Sequence, residues 1–401
     1  MYIVNRELEG NSKGYWALLG GLGALILLGL FAAYNMEHHG HVITGMNNQI
    51  VWGLPHVFAV FLIVAASGAL NVASVAGVFG KKAYKPLAPL SALLAIALLI
   101  GGLAVLMLDL GRADRAIITA WKVNPKSVFS WNVVLYSGFL GFAAAYLWTM
   151  MDKTVKPLYP YAAYGAFVWR LILTTGTGLI FGFLVARQAY GTGLLALMFI
   201  IYSLLYGTAV YVLVLMTAYL GGQRPLGADV MRRLKNMLLI FIAASFYATL
   251  VYHLTNLYYA KEWEFERFIL LDGGLYTVLF WVGQVIIGYA IPFVLMALPG
   301  TRDNRNMIAL SSVLIVLGAL AQMYVTIIGG QAFPLELFPG FTEKSSFFDG
   351  EIHAYTPSHW EWMLGIGGMA ISFAMVAFAV KILRILPESL ADEVADPHAK
   401  K

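Results

Sequence analysis

Ten separate apolar stretches, each about 20 residues or longer, make up most of this sequence: about 15–34, 53–79, 87–110, 131–151, 161–186, 193–220, 235–256, 273–298, 307–330 and 360–383. Crossing a bilayer as a helix takes roughly 20 apolar residues. Within the hydrocarbon every backbone N–H and C=O must be paired, which only a helix or a closed barrel achieves, and runs of this length select the helix. The expected fold is an all-α integral membrane protein of about ten transmembrane helices. Charge content agrees: 12% of the residues are charged, about half of the ~25% that a soluble domain carries. The first stretch is expected to remain as a span, because it is long for a signal peptide and Tyr34-Asn35-Met36 is a poor cleavage sequence.

Cysteine is absent, which removes disulfides, thiolate zinc sites and cysteine-held iron–sulfur clusters from this chain. The basic residues are scattered among loops and form no stripe, so nothing points to nucleic acid. They are nonetheless unequally placed. Of the 26 Lys and Arg, 17 fall in loops on the side of the N-terminus and 8 on the other, with Arg170 inside a span. Basic loops stay in the cytoplasm, so both termini are expected inside. The longest loops, about 35–52, 111–130, 257–272 and 331–359, then lie outside, where a partner would dock.

Charges within spans are costly, roughly 2.5–3.5 kcal/mol each on insertion scales, and mark candidate sites. Asp109 ends the third span and His56 opens the second; Trp131 at the mouth of the fourth and His253 near the end of the seventh lie at the same depth. A desolvated carboxylate beside an imidazole makes a proton-exchanging pair. Equally, Asp109 could pair with Arg112 or cap a loop, leaving His56 as an interfacial histidine. Along the second span His56, Ser67, Asn71 and Ser74 fall within about 60° of one another, and Arg170, Thr174 and Thr177 form a stripe on the fifth. These stripes read as a proton path or as ordinary small-residue packing, and Arg170 as a member of the path or a snorkelling side chain. His38, His39 and His41 read as a partner-facing patch rather than a metal site. A haem between His56 and His253 is disfavoured, since both seek the same surface instead of facing each other across a bundle.

The segment Asp109-Leu110-Gly111-Arg112, followed by Asn124-Pro125-x-Ser127 and Ser130-Trp131, with Ile180-Phe181-Gly182 and Val185-Ala186-Arg187, resembles the NrfD, or polysulfide reductase membrane-subunit, family. The ten spans are similar to its HybB-like branch. Ile328-Gly329-Gly330-Gln331, Pro339-Gly340 and Ser345 to Gly350 look most like the DsrP subunits of the DsrMKJOP sulfur-metabolism complex. The resemblance implies two four-helix bundles, residues 53–186 with the quinone site and 193–330. Around them lie a cytoplasmic N-terminus (1–14), a flanking helix and outer loop (15–52), a second outer loop (331–359), and a last flanking helix with its tail (360–401). It also implies that the chain carries no haem or metal, binds quinone (menaquinone or ubiquinone), and exchanges electrons with an extracytoplasmic, DsrO-like iron–sulfur subunit. Carried over, His56 and Asp109 take the quinone-site positions, with Arg112 and Trp131 beside them; His253 is added from its depth alone. No second Asp-Leu-Gly-Arg occurs, so one bundle is expected to serve the quinone.

The competing classes are a secondary transporter and a membrane anchor. Transporters place polar groups near the midplane, whereas these cluster toward one face. An anchor leaves His56 and Asp109 without a purpose.

Overall fold

The structure is a computed structural model that describes residues 4–9, 12–115, 118, 121–335 and 350–395. Pro339-Gly340 and Ser345 to Asp349, like Lys344, Lys400 and Lys401, lie outside the described residues. Among the described residues ten helices are long and apolar enough to cross a bilayer: α1 (Lys13–His39), α2 (Leu54–Gly77), α3 (Lys82–Leu108), α4 (Val128–Met151), α5 (Lys156–Gly182), α6 (Leu194–Gly221), α7 (Ala228–Tyr258), α8 (Leu275–Ala297), α9 (Arg305–Ala332) and α10 (His359–Ile382). The chain is an all-α multi-pass membrane protein. Its sheet is a two-residue ribbon in which β1 (Asn5–Arg6) pairs antiparallel with β2 (Leu386–Pro387), so both ends of the chain meet on one side. The Tyr219 hydroxyl donates to the Pro387 carbonyl at 2.9 Å and fastens this ribbon to α6. We call this the termini side and its opposite the distal side.

Contacts between helices close two rings. In one, α2, α3, α4 and α5 pack in sequence and α5 returns to α2; in the other, α6, α7, α8 and α9 do the same. Helix α10 lies against α2 and α3 and carries α1 on its outer face. Helix α2 touches α3, α5, α6, α9 and α10, so it is buried along nearly its whole length while α1 is largely exposed. Such a buried span still has to satisfy its backbone where it breaks. After Ala69 the helix resets at Leu70, and Ser91 of α3 bridges the break: its hydroxyl donates to the Ala69 carbonyl at 2.6 Å and accepts from Ala73 N–H at 3.0 Å.

Two spans depart from regular α-helix. Leu279–Ala290 in α8 and Val325–Gly329 in α9 are wound as π-helix, a form concentrated at functional sites. Two loops also differ from the sequence expectation. Helix α1 runs five residues further, to His39, and the connection about 257–272 contains the helical turns Trp263–Arg267 and Phe268–Asp272.

The rings join at the α2–α6 crossing, where Gly68 and Gly207 bring the backbones together. A Cβ on Gly207 would fall 2.0 Å from Ala69 N and 2.4 Å from Ala65 O, both main-chain atoms that cannot swing aside. Lipid offers no hydrophobic drive between helices, so close backbone packing of small residues carries the association. Gly207→Val is expected to destabilise the protein by about 3 kcal/mol, read as a lower unfolding temperature and loss of monodisperse protein in detergent.

Candidate functional site

Asp109 caps the C-terminus of α3, its N–H bonded to the Val105 carbonyl at 3.0 Å. Its residue is 5% exposed, yet Arg112 does not neutralise it. Arg112 turns outward and makes a two-pronged pair with Asp114, both bonds 2.9 Å. Two histidines face Asp109 instead. His56, in the first turn of α2 after Gly53 and Pro55, places Nδ1 2.8 Å from Oδ2. His41, in the loop after α1, places Nε2 3.7 Å from Oδ1. Gly111 makes that second approach feasible. It holds φ +66°, and a Cβ there would come within 2.8 Å of the His41 ring.

The cluster is close but not closed. Beyond these mutual contacts, neither Asp109 oxygen, nor His56 Nδ1, nor His41 Nε2 has a hydrogen-bond partner among the described residues. Buried polar atoms are rarely left so, because each costs about 1–3 kcal/mol. Beside them the Trp52 ring stacks on His56, the rings 6.1 Å apart and 25° from parallel, and meets the edges of Phe181 and Phe129. An apolar wall with convergent, under-used donors and acceptors is what a planar ligand bearing carbonyl or hydroxyl oxygens requires. The two histidines and the carboxylate therefore fit a quinone headgroup.

The backbone around the cluster is held from the C-terminal half of the chain. Gln331 at the end of α9 accepts from Val51 N–H and Trp52 N–H at 3.0 Å each and donates to the Trp52 carbonyl at 3.0 Å. Arg187 ties the Gln49 and Gln331 carbonyls together, both at 2.8 Å. Glu361, fully buried, accepts from Gly45 N–H at 2.8 Å, from Ser358 N–H at 2.7 Å and from the Tyr355 hydroxyl.

The remaining sequence-selected residues fall elsewhere. Trp131 is 39% exposed and its indole N–H donates to the Pro125 carbonyl at 2.7 Å. His253 lies in the second ring, where Nδ1 is 2.6 Å from Glu266 Oε2, while Asn256 donates to Oε1 at 2.7 Å. His56 and His253 thus each face a carboxylate of their own. In the first ring Ser67, Asn71, Arg170 and Thr174 do interlock. Arg170 donates to the Ser67 carbonyl at 3.0 Å and to Asn71 Oδ1 at 3.3 Å, and Thr174 meets the Ser67 hydroxyl at 2.6 Å. Arg170 is 3% exposed and does not snorkel. Ser74 and Thr177 bond back to their own helices, at Leu70 and Leu173. His38 stacks on Tyr34 and His39 bonds the Asn35 carbonyl at 3.1 Å.

Several participants escape a reading of the sequence. His41 groups there with its loop neighbours, since nothing in its spacing ties it to Asp109. Glu266 sits in a segment that reads as loop. Glu361, by contrast, was findable: Ser358-x-x-Glu361 is a capping box before an apolar run, and both of its bonds form. A hydrogen-bonded chain in the core of the second ring is also invisible in sequence. Tyr202 and Thr249 hydroxyls are 2.7 Å apart, Gln284 donates to Thr249 and Tyr289 at 3.3 Å, and Tyr206 and Tyr289 both reach Gln322 Oε1.

Contact with the Asp109 carboxylate raises the His41 pKa above its ordinary value, against the opposing effect of burial. A raised histidine pKa contributes stability that is full below the unfolded value and lost as pH rises through the folded one. The unfolding temperature is therefore expected to fall as pH rises above about 6.5. Asp109→Asn should flatten that limb, and so should His41→Gln, in melting curves recorded between about pH 6 and 9.

Comparison with known proteins agrees with this architecture. The polysulphide reductase NrfD family matches residues 42–335. The chain is 29% identical over 399 residues to the Hdr-like menaquinol oxidoreductase integral membrane subunit of Archaeoglobus fulgidus, covering 99% of this chain and 100% of that one. It is 21% identical over 419 residues to a subunit of the selenate reductase of Mesobacillus selenatarsenatis, covering 94% and 96%. To a putative membrane subunit of the dimethyl sulfoxide reductase of Halobacterium salinarum it is 25% identical over 396 residues, covering 91% and 90%. Matched over residues 42–335, through both helix rings, the chain belongs to the NrfD polysulphide reductase family.

Proposed function

We propose that this chain is the quinone-reactive membrane subunit of a multi-subunit oxidoreductase, and that the quinone headgroup binds at His56 and Asp109 with His41 and Trp52. The observation that carries the reading is the convergence of buried, hydrogen-bond-deficient atoms on one point at the distal end of α2 and α3. The family and the menaquinol-linked relative support it, and favour a menaquinol-type ligand. A bound quinone would supply exchange of two electrons and two protons. His56 and Asp109 share a proton between Nδ1 and Oδ2 and pass it between the ligand and the distal surface. Trp52 excludes water on one side and fixes the plane of the His56 ring.

In this reading residues 53–186 form the redox unit, both termini are cytoplasmic, and the distal side faces outward in a prokaryotic cytoplasmic membrane. The 17-to-8 bias of Lys and Arg supports that orientation. Electrons pass to or from an extracytoplasmic iron–sulfur subunit docked over the distal loops. A place in sulfur metabolism, with a DsrO-like partner, rests on the DsrP-like C-terminal pattern. A transporter fits less well, because the under-satisfied cluster lies at one end of the bundle rather than midway.

Titrating the purified chain with a quinol analogue tests the site. Asp109→Asn and His56→Ala should each weaken binding about 10- to 100-fold, the 1.5–3 kcal/mol of a hydrogen bond to a charged group. Wild-type affinity in both folded variants would place the quinone elsewhere. If protons also move through the interlock of Ser67, Asn71, Arg170 and Thr174, quinol turnover in sealed liposomes moves charge, and Arg170→Met should change that movement while turnover persists. Unchanged charge movement in that variant would remove the route.

A further inference from the structure

On the termini side a cleft of 710 Å³ separates α1 from α6, with α10 as its floor. It exists because α1 packs along α10 and makes no substantial contact with α6. Its walls are apolar: Leu18 and Leu22 from α1, Leu213 and Val214 from α6, Phe373 from α10. Its mouth, at the level of the terminal ribbon, carries Glu9 and Lys381, and the Lys381 ammonium lies 4.7 Å from the centre of the Tyr15 ring. An apolar cleft opening between spans into hydrocarbon is filled by chains rather than by water. The volume falls within the range of roughly 300–1,000 Å³ typical of ligand sites.

We infer that this cleft binds one phospholipid with an amine headgroup, of the phosphatidylethanolamine class. An acyl chain lies along Leu18, Leu22 and Val214, the phosphate meets Lys381, and the ammonium meets Glu9. An acid and a base, Glu9 and Lys381, both line that mouth and select this chemistry. A purely anionic headgroup would set its charge against Glu9, and a quinone would use neither charge. The lipid then acts as the missing contact between α1 and α6, on the opposite side of the protein from Asp109.

Native mass spectrometry of the full chain tests this after reconstitution in nanodiscs of equal phosphatidylethanolamine and phosphatidylglycerol with added menaquinone. One retained phosphatidylethanolamine is expected, with at least tenfold preference over phosphatidylglycerol. Glu9→Gln should erase the preference, and Lys381→Gln should lower retention of both lipids. Val214→Trp, which fills the apolar end, should expel the lipid without touching the charges. Equal retention of both lipids by the wild type, menaquinone in their place, or undiminished retention in Val214→Trp would each overturn the assignment.

Discussion

The distal end of this protein depends on how the backbone between α1 and α2 is satisfied. Residues 45–53 run without a helix beneath the distal surface, and inside a membrane protein such backbone persists only where other protein groups pair with it. Glu361 and Gln331 do that pairing. Glu361 is a buried carboxylate whose acceptors are taken up by backbone and phenol donors, while the Tyr355 hydroxyl that bonds it also accepts from Leu54 N–H at 2.7 Å. Gln331 uses both ends of its amide on the backbone of Val51 and Trp52. The loop has no room to shift around these clamps: a Cβ on Gly45 would strike the Thr356 carbonyl and one on Gly53 would strike Glu361. The positions of His41, Trp52 and His56 follow from this frame, and two of the residues that set it come from α9 and α10.

Among the described residues two buried carboxylates, Asp109 and Glu266, face histidines, and they differ in how fully they are satisfied. Glu266 accepts well-placed bonds at both oxygens, from the His253 ring and from Asn256. Such a pair is complete and gains nothing from a ligand. Asp109 faces two imidazoles, at 2.8 and 3.7 Å, and no further donor reaches either of its oxygens among the described residues. Leaving those atoms deficient costs stability, and a ligand oxygen that completes them recovers it. That difference, more than the presence of a titratable pair, favours Asp109 as the binding centre and His253 as part of the frame of the second ring.

Much of this architecture was legible beforehand because bilayer thickness fixes span length, so ten apolar runs mapped onto ten helices with errors confined to their ends. Asp109 and His56 were legible for a related reason: a charge in an apolar run stands out, and both sat at the same depth. What the sequence concealed is pairing across the fold. His41 is 68 residues from Asp109, and its loop gives no period from which a direction can be read. Arg112, adjacent to the site in sequence, turns away because the left-handed Gly111 redirects the chain immediately after Leu110. The Tyr202, Tyr206, Gln284 and Gln322 chain stayed hidden because single polar residues in apolar helices carry no pattern until the packing of different helices brings them together.

Arg170 sits at the centre of the polar interlock of the first ring. Its guanidinium is buried with no carboxylate in ion-pair range among the described residues; its partners are the Ser67 carbonyl and Asn71. Dipoles therefore stabilise a charge that burial would otherwise penalise by several kcal/mol. A guanidinium offers only donors and keeps its proton, so it cannot relay one. Its positive charge instead opposes a proton approaching along α2, as an arginine does in a pore that excludes cations. The hydroxyls of Ser67 and Thr174 are bonded to one another above it, and Ser74 below is tied to its own helix. A proton crossing the first ring must then wait for the guanidinium to leave the Ser67 carbonyl. In the proposed proton route Arg170 would therefore act as a gate rather than as a carrier, held by its bonds to the Ser67 carbonyl and Asn71.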